Sequence, residues 1–250
     1  MIKQYDIAIL GGGPGGYVAA IRAGQLGFKT VVIDKDNLGG ICLNWGCIPT
    51  KSLLKNAEIY DQIKNHGEDF GIKTTGLSID FNRVIKRSRD ISDRISKNVE
   101  LLIKKNKVDR IRGFGKLTSN KTIEILDEKG KVVDSVKADK IIIATGARPR
   151  NIPAIPVDKK NIITSTEAMS LENQPKDLIV IGAGAIGIEF AYFYSTLGTK
   201  VTLIEMLKHI LPIEDEEVSV ALEKIFKKKG IDILTSAVVE KAEVKGNKVN

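Results

Sequence analysis

The sequence predicts an α/β chain of two parallel-sheet units with a run of antiparallel strands between them. Three observations predict it. A strand, YDIAIL at residues 5–10, runs into a glycine-rich turn and then a helix of small residues; the same order recurs from Asp177; and the stretch between them alternates polar and apolar residues at period two. With 250 residues, 42% of them hydrophobic, the chain is long enough for one large or two ordinary cores and too apolar for disorder.

After YDIAIL come Gly11, Gly12, Gly13, Pro14, Gly15 and Gly16, then the helix YVAAIRAGQLG and the strand KTVVID ending at Asp34. Gly11, Gly13 and Gly16 fit GxGxxG: one for the tight turn, one for close approach of backbone to a pyrophosphate, one for packing helix on sheet. Asp34 stands 23 residues after Gly11, where a carboxylate can accept from a ribose hydroxyl. A bare glycine motif is a weak signal; in the order strand, motif, helix, strand, acid it predicts a Rossmann-like dinucleotide site.

Cys42 and Cys47 are the whole cysteine content, five residues apart in GGICLNWGCIPTKSLL. In an ordinary helix residues i and i+5 lie about 8–9 Å apart, beyond the roughly 7 Å Cα limit of a disulfide, so a bridge requires an irregular turn. Gly39, Gly40 and Gly46 permit one, and Pro49 suits the first turn of a helix continuing through PTKSLLKNAEIY. Two readings fit: a redox-active pair beside a dinucleotide, or two reduced, buried cysteines acting as small hydrophobes. A structural zinc site needs about four ligands, and His66 and His209, the only histidines, lie at no ligand spacing from the pair, so no metal is expected. Lys51, one turn after Cys47 on the expected helix, could place a cation near a thiolate; its plainer reading is an exposed helix lysine.

VIKRSRDISDRISKNVELLIKKNK then reads as a long amphipathic helix, and RIRGFGKLTSN, KTIEILDE and KVVDSVKA as an antiparallel meander. KIIIATGARPR returns a buried strand to the sheet, placing Thr145 and Gly146 where backbone could meet the first cofactor. The Pro-bearing ARPRNIPAIP reads as a linker, which divides the chain into domains at 1–148 and 149–250. The second domain repeats the device: a strand, Gly182, Gly184 and Gly187 in the loop Gly182-Ala183-Gly184-Ala185-Ile186-Gly187, a helix closed by Gly198, and a strand ending at Glu205, again 23 residues after the first glycine. Two dinucleotides are implied, and a carboxylate at Glu205 favours a free ribose 2′-OH over a 2′-phosphate, hence NAD over NADP.

The net charge of +8 is spread among acids along amphipathic stretches, without a basic stripe or interleaved aromatics, so no nucleic-acid partner is expected. No apolar run reaches the roughly 18–20 residues of a membrane span, and the amino terminus enters a strand without a basic leader. Cytoplasmic residence, with no membrane association, is the expectation.

Together GGGPGGYVAA, GGICLNWGCIPTKSLL, ATGARPR and GAGAIGIEFA resemble the flavoprotein disulfide reductases over essentially the whole chain, the cysteine segment being the most specific. The resemblance implies FAD in the first domain, held at Gly11, Gly13, Pro14, Gly15, Gly16, Asp34, Thr145 and Gly146, with Gly115 touching it through its backbone. It implies NAD in the second, at Gly182, Gly184, Ala185, Ile186, Gly187 and Glu205, with Ala237 bordering the nicotinamide site. Cys42 would be the interchange thiol facing substrate and Cys47 the thiol facing the flavin. Lys51 would lie near the flavin N5 and pair with Glu189.

The implied substrate is a dithiol on a lipoyl-bearing protein of a 2-oxoacid dehydrogenase complex or a glycine-cleavage system, and the implied assembly is a homodimer. The family also has a central domain and a carboxy-terminal dimerisation domain carrying a His–Glu pair. These have no counterpart in a chain whose last residues, KGNKVN, interrupt a strand-and-turn pattern, so the 250 residues alone are expected to be inactive. His66 and His209 match no such motif. The competing readings are a related disulfide or mercuric reductase, and a noncatalytic flavin-binding module with structural cysteines.

Overall fold

The computed structural model describes residues 2–119, 121–246 and 248–250; Asn120, which closes the RIRGFGKLTSN run, and Asn247, in KGNKVN, lie outside the described residues. The chain folds as two compact units, one of Met1–Pro49 with Arg89–Arg148, the other of Thr50–Ser88 with Pro149–Asn250.

In chain order, β1 (Lys3–Leu10), α1 (Pro14–Gln25) and β2 (Thr30–Asp34) are followed by α2 (Gly40–Trp45), α3 (Cys47–His66) and α4 (Phe81–Lys105). Then come β3 (Asp109–Arg112), β4 (Phe114–Ser119), β5 (Thr122–Leu126) and β6 (Val132–Ile143). The first unit's sheet has the order β3-β2-β1-β6-β5-β4, parallel from β3 to β6 and antiparallel from β6 to β4. Val31, Val32 and Ile33 of β2 are all fully buried, as a parallel strand covered on both faces requires. On one face Ile9 and Val32 pack with Ala20, Leu43, Val99 and Ile103 from the helices. On the other, Ala8, Leu10, Val31 and Ile33 meet Ile123 and Ile125 of the meander.

Two expectations for this region are refined. RIRGFGKLTSN is two strands, β3 in the parallel part and β4 opening the meander. KVVDSVKA and KIII are one strand of 12 residues, β6, because β1 is long enough to pair along it from Lys3 opposite Val136 to Leu10 opposite Ile143. The end of β6 is also less covered than a buried strand: Ile142 and Ile143 are exposed, since the helical layer sits over β1 and β2.

In the second unit α5 (Ser165–Ala168) precedes β7 (Asp177–Ile181), α6 (Ala185–Thr196), β8 (Lys200–Ile204), α7 (Glu216–Lys228) and β9 (Asp232–Leu234). The three strands form a parallel sheet, β7-β8-β9, and β10 (Val244–Lys245) pairs antiparallel with β11 (Lys248–Val249). The core joins Phe190, Phe193, Tyr194, Val201, Leu203 and Phe226 to Leu53, Ala57, Phe81, Val84 and Ile85. Residues 50–88, grouped by sequence with the first domain, thus pack in the second unit, because their apolar positions find partners on α6 and α7. Among the described residues no helix is long and apolar enough to cross a membrane.

Candidate redox and dinucleotide sites

The first glycine turn is shaped by contacts that leave no space for side chains. β1 is followed by Gly11, at φ +106, whose amide donates to the Ile33 carbonyl at 2.8 Å. A Cβ on Gly16 would overlap the Gly11 carbonyl, and one on Gly11 would overlap the Ala144 carbonyl beside Thr145. That packing brings Thr145 and Gly146 to the turn. Gly13 caps α1 in extended backbone and Pro14 opens the helix, so the amides of its first turn have no partner within the helix. Asp34 closes the cradle: its Oδ2 accepts the Gly12 amide at 2.6 Å and its Oδ1 the Asp36 amide at 2.9 Å. A glycine-lined helix start with a carboxylate at the neighbouring strand end fits a pyrophosphate and a ribose.

The second turn repeats this geometry in detail. Gly182 is at φ +97 and donates to the Ile204 carbonyl at 2.8 Å; a Cβ on Gly187 would overlap the Gly182 carbonyl. Gly184 caps α6 in extended backbone, leaving Ala185 and Ile186 exposed on its first turn. Glu205, 6% exposed, accepts the Ala183 amide at 2.7 Å and the Leu207 amide at 2.9 Å. Its own carbonyl accepts the Ala237 amide at 3.0 Å, which brings Ala237 to the end of β8.

Cys42 and Cys47 form a disulfide with a Cα–Cα separation of 4.6 Å. The irregular turn that this needs is at Gly46: α2 ends at Trp45, α3 starts at Cys47, and a Cβ on Gly46 would press on the Ile41 carbonyl and the Cys42 Cα. Cys47 is exposed and Cys42 half-buried. Cys47 is the first residue of a 20-residue helix, where unpaired amides and the macrodipole favour a thiolate. The redox loop lies on the first cradle backbone to backbone, since the Gly39 amide donates to the Gly12 carbonyl at 2.8 Å and a Cβ on Gly40 would strike the Gly13 Cα.

Lys51 Nζ and Glu189 Oε1 are 2.6 Å apart in the second unit, the lysine side chain 61% exposed and the carboxylate 24%. Gly115, in β4, has a packing reason to be glycine: a Cβ there would enter Leu10 and crowd Ile33.

Two residues beside the disulfide stand out only in the structure. Asn44, buried, donates through Nδ2 to the Gly40 carbonyl at 2.9 Å and the Leu38 carbonyl at 3.2 Å. Arg89 donates to the Asn44 carbonyl at 2.7 Å. A polar residue between two cysteines was the available signal for Asn44. Arg89, one cation among several in VIKRSRD, carried none.

Residues 5–250 match the family described as pyridine nucleotide-disulphide oxidoreductase. The chain is 47% identical over 234 residues to the dihydrolipoyl dehydrogenase of Chlorobaculum parvum, covering 94% of this chain and 50% of that one. It is 44% identical over 246 residues to the dihydrolipoyl dehydrogenase of Bacillus subtilis, covering 96% and 52%. Among solved structures, LpdA of Mycobacterium tuberculosis superposes with a TM-score of 0.88 at 28% identity, over 99% of this chain and 54% of that one. The HOCl-induced flavoprotein disulfide reductase RclA of Escherichia coli, as its Cu(II) complex, does so at 0.83 and 28%, over 100% and 53%. The chain spans about half the length of the curated relatives it matches. With a disulfide packed on one glycine cradle and a second cradle of the same build, the chain belongs to the pyridine nucleotide-disulphide oxidoreductase family.

Proposed function

We propose that this chain carries the nucleotide-binding and disulfide-bearing region of a dihydrolipoyl dehydrogenase. The single observation that carries the reading is the Cys42–Cys47 disulfide, closed across Gly46 and seated on the Gly12–Gly13 backbone of a dinucleotide cradle. The relatives' name, dihydrolipoyl dehydrogenase, supports dihydrolipoamide as the substrate; a lipoyl-bearing protein of a 2-oxoacid dehydrogenase complex or a glycine-cleavage system as its carrier is part of the proposal. A homodimer in the cytoplasm belongs to the same proposal.

The residues would act as follows. One substrate thiolate attacks Cys42 Sγ; the Cys42–Cys47 bond breaks, and its electron pair goes to Cys47 as the thiolate that the start of α3 favours. The second substrate thiolate attacks the sulfur bonded to Cys42 and expels Cys42 as a thiolate, so the substrate leaves as a disulfide. The cysteine pair has gained two electrons, and the substrate's two thiol protons pass to solvent or to the enzyme's sulfurs. FAD, when bound, supplies the acceptor for that electron pair and NAD the terminal hydride acceptor. Gly11, Gly13, Pro14, Gly15, Gly16, Asp34, Thr145, Gly146 and Gly115 would hold the first, with Lys51, oriented by Glu189, on its reactive side. Gly182, Gly184, Ala185, Ile186, Gly187, Glu205 and Ala237 would hold the second.

The test is NADH formation by the purified full-length flavoprotein with dihydrolipoamide and NAD. Absence of NADH overturns the reading, and turnover of a different disulfide with NADPH would place the protein in another branch of the family.

A further inference from the structure

We propose that Arg89 is a positioning residue for the redox pair, a splint from α4 that fixes the end of α2, and with it Cys42, once the disulfide is open; this rests on the redox reading above. The oxidised loop has two ties between its halves, the covalent bridge and the chain through Gly46. After reduction only the backbone remains, and glycine, with no Cβ, restrains it weakly.

Arg89 ties the first of those halves to α4. Its Nη1 donates to the Asn44 carbonyl at 2.7 Å, one of the carbonyls that the end of a six-residue helix leaves without a partner in the helix. Its guanidinium carbon sits 5.0 Å from the centre of the Trp45 ring, and Nη2 donates to Ser92 Oγ at 3.3 Å. One planar group thus grips the two residues immediately before Gly46 and anchors them to α4.

The grip has a cost that shows how closely the group is held. Nε is buried with no hydrogen-bond partner among the described residues, and burial pushes the guanidinium pKa down, with the Asp93 charge opposing. α4 takes a second hold one turn past Ser92, where Ser96 Oγ donates to the Leu38 carbonyl at 2.6 Å, the same carbonyl that Asn44 Nδ2 reaches. The start of α3 is referred to the same helix by packing, since Ile48, next to Cys47, lies on the core cluster that Ile95, Val99 and Ile103 of α4 share.

Closing a disulfide depends on how often its two thiols meet. A splint that keeps Cys42 and Cys47 within reach raises their effective concentration and lowers the reduction potential of the pair. Lysine at position 89 keeps the charge but lacks the fork that meets two acceptors and the plane that stacks on Trp45.

The experiment equilibrates the full-length, FAD-bound protein with mixtures of reduced and oxidised dithiothreitol, alkylates free thiols and counts them by mass spectrometry. Arg89→Gln and Arg89→Lys should each lower the equilibrium constant for the disulfide about tenfold, which is a rise of ~30 mV for a two-electron couple. Trp45→Leu should shift it in the same direction by less. Ile125→Val, a core change on the other face of the sheet from the loop, controls for general loosening. Arg89 variants matching the unsubstituted protein, full rescue by Arg89→Lys, or an equal shift in Ile125→Val would each overturn the inference. If the unsubstituted pair fails to respond to dithiothreitol at all, it is the redox reading that falls.

Discussion

Lys51 Nζ lies 2.6 Å from Glu189 Oε1 although 138 residues separate them in sequence, so α6 supplies the partner for a lysine that α3 leaves largely exposed. An exposed ion pair contributes about 0–1 kcal/mol to stability, so its value here is orientation. Glu189→Gln is therefore expected to leave the unfolding midpoint nearly unchanged while dithiol turnover of the full-length enzyme falls by roughly tenfold or more, the scale of one misplaced charge beside reacting groups. Parallel thermal melts and steady-state rates check this. A large loss of stability with normal turnover would show the pair to be a fold element.

Glu205 should select the second dinucleotide. Glu205→Arg is expected to weaken NADH use and improve NADPH use, moving the ratio of kcat/KM values by on the order of a hundredfold, because a carboxylate facing a 2′-phosphate is replaced by a cation. The same change orphans the Ala183 and Leu207 amides, which costs about 1–3 kcal/mol each if they stay buried. Lower stability should accompany the switch. Equal use of both dinucleotides by the unsubstituted enzyme would remove Glu205 as selector.

The two thiols should be separable by spectrum. With FAD bound, Cys42→Ser is expected to leave Cys47 as a thiolate giving long-wavelength charge-transfer absorbance without reductant, fading as low pH protonates it. Cys47→Ser should lack the band, and both should lose turnover. A band in Cys47→Ser alone would reverse the roles.

Tyr5 provides an alkaline test of the first unit. Buried and donating to Asp109 Oδ2 at 2.9 Å, its hydroxyl is pushed up to about 12, burial being the larger cause and the hydrogen bond and charge of Asp109 the next. The fold favours the protonated form, so this stabilisation is full below the ordinary value of 10.0 and is lost as pH rises from there toward about 12. Denaturant midpoints of the unsubstituted protein should fall across that window more steeply than those of Tyr5→Phe.

As an isolated polypeptide the 250 residues are expected to show negligible dihydrolipoamide oxidation, since they cover about half of their curated relatives. Turnover comparable to a complete relative, on mass-verified material, would refute this.

Much of this was legible because the glycine motifs are short-range. Gly11, Gly16 and Asp34 meet within one strand–helix–strand unit, and so do Gly182, Gly187 and Glu205, so spacing alone carried their geometry. The need for a break between Cys42 and Cys47 followed from helix dimensions, and Gly46 provides it. The placement of 50–88 was hidden, because it depends on Leu53 and Phe81 finding Phe193 and Tyr194 from far along the chain. Arg89 was hidden for the related reason that an amphipathic helix does not advertise which of its cations turns inward. The fusion of two expected strands into β6 came from the length of β1, which no local pattern within 132–143 records.

The interrupted course of the second unit also has a timetable. Leu53, Ala57, Phe81, Val84 and Ile85 leave the ribosome with the first unit's sequence, yet Phe193 and Tyr194, which they pack against, come more than a hundred residues later, Tyr194 being 109 after Ile85. At roughly 5–20 residues per second, translation leaves those side chains uncovered for about 5–30 s. A slow stretch of message between Pro149 and Tyr194 would lengthen that interval, and a nascent-chain chaperone that binds short apolar segments should be found on residues 50–88 until α6 emerges.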